Sequence, residues 1–270
     1  MKNNNKSNNQ ELYFMTFLLN TNSALERCLK ILAPDNNIGY KICVGLLARF
    51  YKLFNSILNN LKNQNYTATN ILIRPLYETG LSLEYMIVKW RKENFEEFIL
   101  TDAMRQRNMI KSLESIQKVE KKYNIDLVGE VINKIKKEIE KDKLNIDKLP
   151  NCKLRSWHRK LTYKKMATEL GEEPEAIFKM VYSSGNFAVH TSWTDIKKFH
   201  IKKDKNDKNY LPNVKDGHHS LATYSFLICT SLRICQLYAE RFGNRKNAKY
   251  CEKLHKNFHK DFIFANNQKF

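Results

Sequence analysis

Residues 71–90, ILIRPLYETGLSLEYMIVKW, carry the strongest signal of fold class in the chain. The fully charged side chains in this stretch are Arg74, Glu78, Glu84 and Lys89. At helical spacing one face carries Ile71, Leu81 and Tyr85, and another carries Leu72, Leu76, Leu83 and Trp90. A helix that is apolar on two sides needs neighbours on both, so it belongs at the centre of a helical assembly. Pro75 removes one backbone donor inside the stretch and is expected to bend it.

Working outward, the flanking segments also read as helices. On the N-terminal side a helix is expected over 10–33, stopped by Pro34-Asp35-Asn36-Asn37, and another over 38–62. In the latter, Cys43, Leu46, Leu47, Phe50, Phe54, Ile57, Leu58 and Leu61 keep one face apolar. Thr67 is the expected N-cap of the central helix. After it come two charged, amphipathic segments, 94–122 and 126–142, whose Lys/Glu pairs read as solvated surface. A linker is expected over 143–156. Trp157 opens a short helix closed by Gly171, and Pro174 suits the first turn of a helix running to His190. Beyond a polar segment, helices follow over 218–242 and 245–263, with Gly243 as the cap between them. The expected fold is all-α: an antiparallel helical bundle with peripheral helices and room for a small hairpin or loop near 196–212. The expected organisation is a disordered tail over 1–9, then one helical domain over 10–270 with a charged insertion at about 94–142.

Composition narrows the function less than it narrows the fold. Hydrophobic residues make up 42% of the 270, enough for a core, while eight Gly and five Pro are too few for a turn-rich β protein. No apolar run approaches the roughly 20 residues that span a bilayer, so no membrane partner is expected. Residues 1–10 are polar with no apolar signal core, so cytoplasmic residence is expected. The net charge of +19 permits RNA or DNA binding. It argues weakly for it, because it comes from 36 Lys against 11 Arg alongside 30 Asn, a bias that AT-rich codons produce whatever the function. Six cysteines without C-x-x-C spacing argue against a zinc ribbon, and the four in apolar helical stretches read as small core residues.

Two groups of polar residues sit where apolar ones are expected. Arg74 and Glu78 are one helical turn apart on the central helix. Charges placed there must be paired or serve a site, since desolvating them costs several kcal/mol each. Tyr182, Asn186 and His190 recur every four residues inside an apolar stretch and therefore line one helix face. Buried polar groups find partners, so the two groups are expected to meet. Both also have a bland reading: a core ion pair, and a histidine capping a helix end. Ser183, Tyr77 and Trp157 are expected to support the same pocket. Cys251, His255 and His259 have metal-ligand chemistry at one-turn spacing, but no fourth ligand is evident, so neither a metal nor a cofactor is expected.

The motif Arg74-Pro75-Leu76-Tyr77-Glu78, followed by Trp157 and then by Tyr182-Ser183 and His190-Thr191, resembles a widespread bacterial helical family of unknown function. That family carries an R-[SP]-L-x-E helix and a later Y…S…H-[ST/P] helix. The resemblance spans roughly residues 40–240 and implies that these residues converge in a bundle. A looser resemblance is to the HEPN (higher-eukaryote-and-prokaryote nucleotide-binding) helical bundles, many of them metal-independent ribonucleases of toxin and phage-defence systems. Asn186-x₃-His190 matches the polar residue and histidine of their motif, with Gly185 where that family has Arg and Arg74 as the substitute from another helix. This resemblance implies an RNA-cleaving effector with His190, Arg74, Glu78 and Asn186 as catalytic residues. The competing expectation is a non-catalytic module that binds a partner protein or small ligand through the same pocket, either as a monomer or as a homo-oligomer.

Overall fold

The computed structural model describes residues 2–31, 37–122, 128–150, 161–189, 201–203, 210–212 and 221–267. For 2–11, 119–122, 180, 183–189, 201–203, 210–212, 221–222 and 261–267 it describes the backbone alone. The helices are α1 (Lys2–Leu29), α2 (Ile38–Lys62), α3 (Tyr66–Val88), α4 (Lys92–Lys122), α5 (Gly129–Lys141), a 3₁₀ turn (Ile146–Lys148), α6 (Tyr163–Leu170), α7 (Glu172–Val189), α8 (Leu221–Arg241) and α9 (Arg245–Asn267). Two three-residue strands, β1 (Ile201–Lys203) and β2 (Tyr210–Pro212), pair antiparallel with Ile201 opposite Pro212. The fold is all-α, and this ladder falls where a hairpin was expected. α1 begins at Lys2, inside the stretch that composition reads as a tail.

The chain forms two compact units, 1–88 with 167–270, and 89–166. In the first, α3 packs against α2, α7 and α8, while α1 packs against α2, α8 and α9. From Thr79 to Ile87 every residue of α3 is buried, which is the central position its two apolar faces demand. The first turns differ from expectation. Ile71 is 44% exposed, so its face of α3 reaches solvent at that end. Gly80 sits where three helices crowd together: a Cβ there would lie 2.6 Å from Ile234 Cδ1 and 2.9 Å from Phe50 Cε2.

The turns are made by local chemistry. Asn37 accepts from the Gly39 amide at 2.8 Å and starts α2. At the end of α2 the amides of Gln64 and Asn65 return to the carbonyls of Leu61 and Asn60, with Gln64 in the left-handed region at φ 56°. At the α8–α9 junction Gly243 (φ 80°) and Asn244 close the same motif on Glu240 and Ala239. The Asn244 side chain then accepts from the Asn247 amide and starts α9. Both pairs, α2–α3 and α8–α9, are therefore antiparallel hairpins. Phe14 and Phe17 of α1 meet Phe258 of α9 at 6.0 and 5.2 Å, and Phe14 meets Tyr224 of α8 at 5.5 Å.

In the second unit the charged, amphipathic segments turn their apolar faces to each other, while the Lys141–Glu138 pair is exposed as expected. Ala103, Met104 and Ile110 of α4 pack with Ile132 and Ile139 of α5 and with Leu149 into a separate small core. Arg107 is only 9% exposed, and its guanidinium donates to the carbonyls of Leu149 (2.5 Å) and Pro150 (3.0 Å). A buried cation thus ties the segment after α5 back to α4.

Candidate functional site

Pro75, mid-helix, removes one backbone donor between Arg74 and Glu78, yet α3 continues through it. Their one-turn spacing lets the Arg74 Nε–H donate to Glu78 Oε1 at 2.9 Å. From α7, the Tyr182 hydroxyl donates to the same oxygen at 2.5 Å. The Arg74 guanidinium carbon lies 4.6 Å from the centre of the Tyr182 ring, within cation–π range. Phe178, one turn earlier on α7, stacks on Tyr182 at 4.2 Å and so fixes its ring. The hydrogen bond to Glu78 raises the Arg74 guanidinium above its already high value, so it stays charged at any relevant pH.

The pair is not in the deep interior. The side chains of Arg74 and Glu78 are 26% and 24% exposed, which corrects the expectation of a fully buried pair. The reason is the partly open first half of α3, marked by exposed Ile71. A half-open pair is partly hydrated and costs less to lose than a buried one.

Tyr77 lies beside this network. Its hydroxyl donates to the Pro174 carbonyl at 2.9 Å, closing the first turn of α7 onto α3. Its ring contacts Phe178 at 6.5 Å and Phe226 at 6.0 Å. Burial pushes its phenol up, so it acts as a fixed donor rather than a titrating group. Of the residues read from sequence, Arg74, Glu78, Tyr182 and Tyr77 thus gather at the α3–α7 contact. Asn186 lies on α7 one turn after Tyr182, and Ser183 directly follows Tyr182, but both side chains fall outside the described residues. His190 and Trp157 fall outside them altogether.

One neighbouring network was missed. Glu84 of α3 is 5% exposed, and one of its oxygens accepts Nε (2.9 Å) and Nη2 (2.8 Å) of Arg233 from α8. Arg233 Nη1 also pairs with Glu173 at the start of α7. Burial raises the Glu84 carboxyl despite the guanidinium beside it, with Glu173 adding to the rise. The signal was present: Glu84 sits in the most apolar part of α3, and Arg233 interrupts the longest apolar run of the chain. A further pair, Tyr85 and Glu169, is bonded at 2.7 Å. Cys251 lies with Cys28 and Cys235, all three buried, whereas His255 and His259 gather with Cys229.

The geometry therefore presents an oriented guanidinium, braced by a carboxylate and an aromatic ring, at a partly open helix–helix contact. The chain belongs to the family described as a family of unknown function (DUF5677), whose model matches residues 40–209. That span runs from α2 through α3 and α7 to beyond β1, so it contains Arg74, Glu78 and Tyr182. No curated protein and no solved structure matches the chain significantly. No helix among the described residues is long and apolar enough to cross a membrane.

Proposed function

We propose that this protein is a cytoplasmic helical binding module whose α3–α7 face captures a phosphate-bearing ligand, with RNA as the ligand class. The observation that carries the reading is the bracing of Arg74 by Glu78 and Tyr182 while its side chain stays about a quarter exposed. A guanidinium with its orientation set in advance spends little entropy on a phosphate, and its planar fork matches phosphate oxygens. Glu78 accepts two hydrogen bonds on one oxygen, which suits a positioning group rather than a proton acceptor.

A second reading is favoured by chain order: Tyr182 and Asn186 are on α7, and His190 is the next residue after it. It is metal-independent RNA cleavage of toxin or defence type. His190 would take the proton from a ribose 2′-hydroxyl and return one to the leaving oxygen. Arg74 would stabilise the phosphorane charge, Glu78 would hold Arg74, and Asn186 would position His190.

The test is fluorescence anisotropy with a labelled single-stranded RNA. Arg74→Lys keeps the charge but loses the fork. It is expected to weaken binding by about tenfold, or 1.4 kcal/mol, while Lys137→Gln, at an exposed position of α5, changes it little. Equal effects of the two variants would reduce the binding to net charge. Cleavage by the wild type that disappears in His190→Ala would move the conclusion to the second reading.

A further inference from the structure

We propose that Cys229, His255 and His259 form a binding site for one divalent transition-metal ion of the zinc type. The three residues come from the α8–α9 hairpin. Cys229 and the 255/259 pair lie at matching sequence distances on either side of Gly243, so the antiparallel turn brings them level. The Cys229 sulfur and one ring nitrogen of each histidine all lie within 4.8 Å of one another. The two Nε2 atoms are 3.0 Å apart. Tetrahedral zinc, with bonds of about 2.0–2.1 Å to nitrogen and 2.3 Å to sulfur, needs ligand atoms about 3.3–3.6 Å apart. The cluster therefore closes on an ion with shifts of a few tenths of an ångström to about one ångström.

The contact between the two histidines is a hydrogen bond, one ring donating and the other accepting. His259 is exposed and has room to swing into water, yet its Nε2 points at the Nε2 of His255. Two ring nitrogens that close share at most one proton, and a cation between them satisfies both lone pairs. The donor set of one thiolate and two imidazoles favours zinc over magnesium or calcium, which select oxygen. On binding, the thiol proton leaves to solvent, and both imidazoles coordinate as neutral rings through Nε2.

Glu173 supplies the negative charge beside the cluster. It stands near enough to act electrostatically on both Cys229 and His255, and it is steadied by Arg233. Arg233 also acts electrostatically on His255, and a water takes the fourth position. The half-buried Cys229 and exposed His259 give the ion a way in. By contrast, Cys28, Cys235 and Cys251 are each at most 1% exposed and offer none.

The test uses the full chain, stripped with a chelator and titrated with Co²⁺ and then Zn²⁺. The expected result is one cobalt bound, with a thiolate-to-cobalt charge-transfer band and intense tetrahedral d–d absorption, both abolished by zinc. Cys229→Ser removes the charge-transfer band. His259→Ala, at an exposed position that leaves the core intact, weakens binding by at least about 100-fold, more than loss of an outer partner does. Cys251→Ser leaves the spectrum unchanged. The proposal is overturned if no charge-transfer band forms, if the band survives in folded Cys229→Ser, or if His259→Ala binds like the wild type.

Discussion

Arg233→Met is the substitution whose effect the structure specifies most fully. Methionine fills much of the arginine's volume but removes both donors from Glu84 Oε1. A carboxylate that is 5% exposed then has no cation beside it. Breaking one side of a buried pair costs about 3–5 kcal/mol. The low end applies, about 3 kcal/mol, because the 27% exposure of Arg233 lets water into the vacated space. The direction with pH follows from the raised Glu84 carboxyl. Folded Glu84 holds its proton more tightly than unfolded Glu84, so its favourable contribution is complete below the unfolded value of about 4.3 and is lost as pH rises through the folded value. Removing Arg233 raises that folded value further, so the gap between variant and wild type widens from pH 4 towards neutrality. Urea melts at a series of pH values measure this. Adding Glu84→Gln to Arg233→Met removes the stranded charge and is expected to restore stability to within about 1 kcal/mol of the wild type. A loss under about 0.5 kcal/mol in the single variant, or no rescue by Glu84→Gln, would mean that Arg233 does not hold Glu84 as a buried ion pair.

Other perturbations test separate joints. Tyr182→Phe keeps the ring on Phe178 and Arg74 but loses the bond to Glu78, and is expected to cost about 1 kcal/mol in urea melts. Gly80→Ala gains helix propensity but forces a methyl against Phe50 and Ile234; a net loss of about 1–2 kcal/mol is expected. Gln64→Gly relieves a left-handed residue at the α2–α3 turn and is expected to stabilise by about 0.5–1 kcal/mol. Arg107→Met frees the carbonyls of Leu149 and Pro150, and amide exchange is expected to speed up over 142–150 with little change in α8.

The fold was legible because its signals are local. The apolar face of α2 is buried from Cys43 to Leu61, as its spacing predicted, and Gly243 caps α8 where it was expected to. The Arg74–Tyr182 meeting was legible for a different reason: two polar stripes in an apolar setting had to find partners. What spacing could not show was depth. The ion pair on α3 reads as buried from its neighbours in sequence, but the open end of the helix leaves it partly hydrated. Over 94–142 the spacing showed amphipathic helices but not that Met104 and Ile139 belong to one small core. The Glu84–Arg233 pair joins positions far apart in the chain, and Cys229 replaces Cys251 beside the two histidines for the same reason. Both are pairings between helices, which one-helix spacing does not encode.

The central claim is that Arg74 is an oriented anion receptor, and the most direct measurement is the proton–nitrogen spectrum of the arginine Nε–H groups. The Arg74 signal is identified by its loss in Arg74→Lys, and short single-stranded RNA is then titrated in. A saturable shift of the Arg74 resonance is expected, with the same dissociation constant as RNA binding measured by anisotropy. RNA binding that saturates while the Arg74 resonance stays in place would contradict it.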